Sequence, residues 1–335
     1  MDSPPELPDT PSEFKDYKTG LVLFGILTIL LGGVCALFVP LMFFGQAMSA
    51  KSGAPTNTQA IIPAIVMHAA LAIALVWLGV GSMMARRWAR ALLLIFSWSW
   101  LIIGLISMVF MAFFLPQIMQ AVQSSTPPGQ PEMPAAAKSL MIIIPMVFLG
   151  VVYVILPGAW LLFYRSKHVK ATCEARDPKV RWTDRCPLPV IGVSLWLAFS
   201  AAMMLMMAVA YKGILPVFGT LVFGPAGSAL CVLFALLWGY CAWGLYKLDR
   251  RALWIVVTSM VVFSISAFVT YSHHDLMELY ALMGYPQEQI DQIAKFNFLN
   301  GPKMAWASIG AAVPLVAYLL YIRRYFPSGI DRTTA

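Results

Sequence analysis

Acidic residues are scarce in this 335-residue sequence: there are fifteen, and none lies within a long apolar run. A carboxylate inside a hydrocarbon layer is costly and is kept for work such as holding a coupling cation or passing a proton. Its absence argues against proton- and sodium-coupled carriers, rotary motors and aspartyl intramembrane proteases. His-Glu-x-x-His, the phosphate-cradling glycine loop and the dinucleotide glycine pattern are missing as well, so no zinc or nucleotide chemistry is visible. The five cysteines are an odd number. Cys35, Cys231 and Cys241 fall in apolar runs, and Cys173 and Cys186 in one basic stretch, which is no disulfide framework. No catalytic residue, cofactor or metal is expected.

What is present in quantity is apolar. Sixty per cent of the residues are hydrophobic and 11% charged, with a mean hydropathy of +0.77, beyond what one soluble core can enclose. A crossing helix needs about 20 apolar residues. Eight runs qualify: Leu21–Phe44, Ile61–Met84, Ala91–Leu115, Leu140–Tyr164, Leu188–Tyr211, Ala226–Tyr246, Ala252–Tyr271 and Met304–Ile322. They are continuously apolar, not alternating, and lipid leaves an open sheet edge without partners, so helices are expected. Gly213–Gly224 is too short to cross and carries Pro216 and Gly219; it reads as an outer loop at the interface. Gln117–Lys138 reads as irregular. Residues 273–303 hold two short helical patterns, the second opened by Pro286.

Charge orients the spans. With the N-terminus inside, inner segments hold 18 of the 23 Lys and Arg residues, and the outer loops only Lys51, Lys138, Lys212, Lys295 and Lys303. This bias places both termini in the cytosol. An integral, multi-pass protein of a bacterial cytoplasmic membrane is expected, and the net charge of +8 points to anionic lipid, not to nucleic acid.

The spans also look duplicated. An offset of 161 pairs Trp77 with Trp238, Ser97 with Thr258 and Arg90-Ala-Leu92 with Arg251-Ala-Leu253; Leu161-Leu-Phe-Tyr-Arg165 resembles Leu319-Leu-Tyr-Ile-Arg323. Apolar helices ending in arginine also resemble one another by chance. The fold expected is an all-α membrane protein of eight transmembrane helices in a 4+4 parallel pseudo-repeat. Its parts would be a disordered cytosolic tail (1–19), a first four-helix half (20–164), a cytosolic connecting loop (165–187), a second half (188–326) and a C-terminal tail (327–335).

The connecting loop holds seven Lys and Arg residues and, from Arg165 to Pro189, three prolines and no glycine. A flexible tether has the opposite composition. Ser166 is placed to cap a short helix ending near Asp177-Pro178. Asp184 is within local reach of Arg181 or Arg185. Arg181, Trp182, Asp184 and Arg185 form a candidate interaction site for a cytosolic protein partner or anionic lipid. The competing reading is that they hold the two halves in register.

Polar groups inside the spans are few. His68 sits on a stripe of Ala60, Ala64 and Ala72 suited to helix contact. Ser259, Ser266 and Thr270 lie near one face of the seventh span, to line a polar path or to bond back to their own helix. Together these four are the candidate intramembrane polar site. Met203-Met-Leu-Met-Met207, His273-His274 and the set His168, Cys173 and Cys186 lack the complement or spacing of a metal site. The function expected is therefore that of a non-enzymatic membrane protein contacting a partner or lipid headgroups through its cytosolic loop. The alternative is a passive or partner-driven permease for a small neutral or apolar substrate.

Overall fold

The structure, a computed structural model, describes residues 15–51, 58–124, 134–294 and 301–327. Both expected tails lie largely outside these residues. Eight helices among them are long and apolar enough to cross a membrane, and the chain is a multi-pass helical membrane protein. The spans are α1 (Lys18–Lys51), α2 (Thr58–Met83), α3 (Arg87–Ser124) and a fourth built from three pieces: α4 (Ala135–Gly150), a π turn (Val151–Ile155) and α5 (Leu156–Arg165). After a connector containing α6 (Lys167–Arg176) and a 3-10 turn (Trp182–Asp184) come α7 (Leu188–Ala210), α8 (Gly224–Tyr246) and α9 (Arg250–Tyr271). Two short helices, α10 (Leu276–Leu282) and α11 (Gln287–Ala294), precede the last span, α12 (Gly301–Ile322). A 3-10 turn, Arg323–Tyr325, closes it.

Each span pairs with its neighbour in sequence. In the first hairpin Gly25 and Gly79 let the backbones of α1 and α2 meet: a Cβ on either would lie under 3 Å from the other's carbonyl oxygen. Small residues drive such crossings where lipid removes the hydrophobic force between helices. Polar bonds then lock α5 to the pair. Ser82 Oγ donates to the Leu21 carbonyl (3.0 Å) and shares a hydrogen bond with the Tyr164 hydroxyl (2.7 Å), while Trp160 Nε1 donates to Thr28 Oγ1 (3.1 Å). The α7–α8 hairpin crosses at Ser194, whose Oγ donates to the Ala242 carbonyl (2.6 Å). α9 packs on α12 through Ser264 and Ser308. The two halves meet along α7, where Trp196 Nε1 donates to Ser99 Oγ of α3 (2.9 Å).

Two turns share one geometry. After α2 the Ala85 and Arg86 amides donate to the Ser82 and Gly81 carbonyls (2.8 and 2.9 Å); after α8 the Leu248 and Asp249 amides donate to the Leu245 and Gly244 carbonyls (2.9 and 2.9 Å). This is the Schellman ending, with one left-handed residue, and that residue is Ala85 (φ 52°) in one turn and Leu248 (φ 56°) in the other.

Three local expectations change. Residues 213–224 fold as a β-hairpin, β1 (Leu215–Val217) paired antiparallel with β2 (Thr220–Val222). Its two-residue turn has positive φ at both Phe218 (38°) and Gly219 (93°), the handedness that matches strand twist. A phenylalanine is strained there. Two hydroxyls of α9 hold it: the Phe218 amide donates to Ser266 Oγ (2.9 Å) and the Gly219 amide to Thr270 Oγ1 (3.0 Å). Second, α3 continues to Ser124 and α4 begins at Ala135, so both ends of Gln117–Lys138 are helical, and residues 125–133 of it lie outside the described set. Third, the end of the expected tail is docked. The Tyr17 amide donates to Thr172 Oγ1 (3.1 Å), its ring stacks on His168, and Asp16 pairs with Arg176 (2.6 Å).

Candidate interface at the basic end

The connector lies across the end shared by the start of α1, the α2–α3 turn, the α8–α9 turn and the end of α12. Its α6 is bounded where proline and Asp177 stop it, and Ser166 takes the N-cap position without its hydroxyl accepting a capping bond. Asp177 is the hub. It is only 2% exposed, accepts Arg181 Nε and Nη2 (3.0 and 2.6 Å), accepts the Arg87 amide (3.3 Å), and lies 3.7 Å from Arg86 Nη1. The Arg181 bond, then the Arg87 amide and the charge of Arg86, hold its carboxyl below the usual value of 3.8 against the opposing effect of burial. A buried carboxylate with this many donors is a fixed joint, since losing one partner would strand the other.

Asp184 takes a different partner from the one its neighbours in sequence suggest. Its Oδ2 accepts the Arg181 backbone amide (2.8 Å) and pairs with Arg87 Nε of α3 (3.3 Å). Trp182 packs edge-on against Tyr246 at the end of α8, and the Tyr246 hydroxyl donates to the Trp182 carbonyl (3.2 Å). The connector therefore grips the first half through its carboxylates and the second through its aromatic ring. Arg185 is exposed and has no ion pair among the described residues, as is true of Lys179 and Lys167.

A partial collar of cations on aromatic rings stands beside this strap, on the ends of α8, α9 and α12. Lys247 sits over Trp243 (4.9 Å), Arg323 over Trp254 (5.5 Å), and Arg324 over Tyr321 and Tyr325 (4.0 and 4.9 Å). Such pairs hold side chains at a water–lipid boundary, with the ring in the interface and the cation turned to headgroups.

Of the four intramembrane candidates, Ser259 and Ser266 line one cavity, and His68 and Thr270 do not. His68 Nδ1 bonds to the carbonyl of Ala64 one turn back (2.7 Å) and its ring meets Phe38 of α1. Ser259 Oγ donates back to Val256 (2.9 Å). Ser266 and Thr270 hold the hairpin tip, and Ser266 Oγ also donates to the Pro216 carbonyl (3.0 Å). Beside them, between the hairpin, α8 and α9, is a cavity of about 590 Å³ lined by Phe218, Phe234, Trp254 and Phe263, with Thr258, Ser259 and Ser266 as its polar groups. A smaller cavity of about 300 Å³ opens at the basic end, between α3, α6 and the entry to α7. Both connector thiols, Cys173 and Cys186, line it; burial pushes each up to about 11 and keeps it a neutral thiol. Among the described residues, no three His, Cys, Asp or Glu side chains gather as metal ligands.

Comparison with protein-family models, with characterised proteins and with solved structures gives no match for this chain.

Proposed function

We propose that the basic end is the cytosolic face and that the strap and its collar seat the protein on anionic headgroups, a non-enzymatic role. The observation that carries this reading is the cation–aromatic collar beside an exposed Trp182 and an unpaired Arg185. Each basic residue near an anionic leaflet contributes about 1 kcal/mol of attraction, and 17 of the 23 lie among the described residues in segments at this end. The rigid Asp177 hub supports the idea that the strap presents these groups in a fixed geometry. A protein partner would use the same surface.

The proposal includes the 4+4 repeat. Gly81, Ala85 and Ala89 correspond to Gly244, Leu248 and Ala252, all 163 positions apart, and in each half the glycine faces the later alanine across the turn. At the hairpin crossings Ala242 stands 163 positions after Gly79, and the residue that meets its carbonyl, Ser194, plays the part that Gly25 plays against Gly79. This register differs by two from the one that identities alone suggest, because the turn geometry sets it.

A photo-crosslinking residue placed at Trp182 or Arg185 tests the headgroup role in native membranes. Adducts with anionic phospholipid are expected. A single protein adduct would identify a partner instead, and no adduct at either position would remove the interface. The permease reading draws on the 590 Å³ cavity, which lies within the second half and has a largely apolar lining suited to an apolar molecule.

A further inference from the structure

Four arginines at the junction of α3 and the strap have acidic partners. Arg86 and Arg181 meet Asp177, Arg87 meets Glu174 and Asp184, and Arg176 meets Asp16. The side chain of Arg90, one turn into α3, has neither ion pair nor hydrogen bond among the described residues, and its Nε is enclosed without an acceptor. It lines the 300 Å³ cavity, where Thr183 from the 3-10 turn is 3% exposed with an enclosed, unpartnered Oγ1. Two residues with an enclosed, unpartnered polar atom, one from α3 and one from the strap, thus line the same cavity.

The balance of charge there is positive. Arg87, Arg90 and Lys170 line the cavity against Glu174 and Asp184. Both carboxylates are already engaged, Glu174 by Arg87 (3.5 Å) and Lys170 (3.8 Å), and Asp184 by Arg87. Turning either toward Arg90 would strip Arg87 of a partner. The neutral thiols of Cys173 and Cys186 add no negative charge. A half-buried guanidinium whose enclosed Nε has no acceptor is unfavourable, and a tetrahedral oxyanion satisfies it best, because its oxygens accept from a planar fork and from a hydroxyl at once.

We infer that this cavity is a phosphate-class oxyanion site in which Arg90 and Thr183 are the principal donors. The inference deepens the headgroup reading by giving the strap a specific anion pocket behind its outer surface. The anion is the phosphate of a membrane lipid or a free phosphate; the cavity lies where α3 and α7 leave the apolar layer, within reach of both.

Thermal unfolding of the purified protein, in neutral detergent with added inorganic phosphate and in nanodiscs of phosphatidylglycerol or phosphatidylcholine, separates the sources. A phosphate-dependent rise in Tm in detergent identifies the free ion. A phosphatidylglycerol-dependent rise without a response to free phosphate identifies the lipid. Either response should be lost in Arg90→Gln and weakened in Thr183→Val by about tenfold in affinity, as expected when one charge-assisted hydrogen bond goes. Without ligand, Arg90→Gln should be at least as stable as the parent, because it removes an unpartnered charge, so a folding defect cannot imitate the result. No rise in the parent under either condition, or an equal rise in Arg90→Gln, overturns the site. Arg185→Ala distinguishes the two readings: lipid dependence lost there but kept in Arg90→Gln leaves the outer surface standing and the cavity refuted.

Discussion

The crossing of α1 and α2 gives a quantitative handle on the packing beneath the strap. A Cβ placed on Gly25 would lie 2.8 Å from the Gly79 carbonyl oxygen and 2.6 Å from Met83 Cγ; one on Gly79 would lie 2.7 Å from the Gly25 oxygen and 2.6 Å from Ile29 Cγ1. Restoring ordinary contact near 3.5 Å requires the helices to part by roughly 0.7 Å. Methionine and isoleucine tips can shift, but the carbonyl oxygens cannot. The same parting stretches the Ser82–Leu21 bond that ties α2 to α1. Gly25→Ala and Gly79→Ala should each cost about 1–3 kcal/mol, the usual penalty for overfilling a packed contact. Gly33, on the same helix, has nothing within 4 Å of a would-be Cβ, and Gly33→Ala should lie within about 0.5 kcal/mol of the parent. The double variant at 25 and 79 should cost less than the sum, since one substitution already opens the gap the other needs. Equilibrium unfolding in one detergent measures all four. Equal costs at positions 25 and 33, or strict additivity at 25 and 79, would refute the close crossing.

The hairpin should loosen as pH rises. His274 contacts two acceptors, Glu278 Oε2 through Nδ1 (2.8 Å) and the Gly219 carbonyl through Nε2 (3.1 Å), and only the imidazolium donates from both nitrogens. The Glu278 bond first, and the Gly219 bond, raise its pKa above 6.5. A raised value means the stabilisation is full below pH 6.5 and is lost as pH climbs through the folded value. Hydrogen exchange at the hairpin tip should therefore quicken between pH 6 and 9, and a flat profile after correction for intrinsic exchange would refute the double bond. At the other end, Asp177→Asn should expose the strap to protease at Lys179 and Arg181, with little change within the spans; unchanged resistance would mean the hub holds nothing. Acid should act in the same place only at low pH, because the depressed pKa keeps the Asp177 pairs formed until pH falls well below 3.8.

The spans were legible in the sequence because their signal is local: a run of apolar residues needs no knowledge of its neighbours. The short helix ending at Arg176 was legible for the same reason, through Pro178. The hairpin was not. Its strands have three residues each, and its turn puts a phenylalanine at positive φ, which is tolerable only because Ser266 and Thr270 approach from about fifty residues away. Nor could local reading give Asp184 its partner. Arg181 and Arg185 are nearer in sequence, but Arg181 turns to Asp177, and Arg87 of α3 takes Asp184. The isolation of Arg90 is legible only once every nearby carboxylate has been matched with another cation. Sequence can list charges, but which charge is left over is a property of the fold.

The central claim is that the strap end faces the cytosol, and chemical labelling of single cysteines tests it most directly. The native thiols form a quiet background: Cys173, Cys186, Cys231 and Cys241 are buried, and Cys35 lies within a span. A cysteine introduced at exposed Lys179 should resist an impermeant maleimide in intact cells and react once the membrane is opened, whereas one at exposed Glu288, in α11, should react in intact cells. Labelling of position 179 from outside, with position 288 protected, would contradict the account.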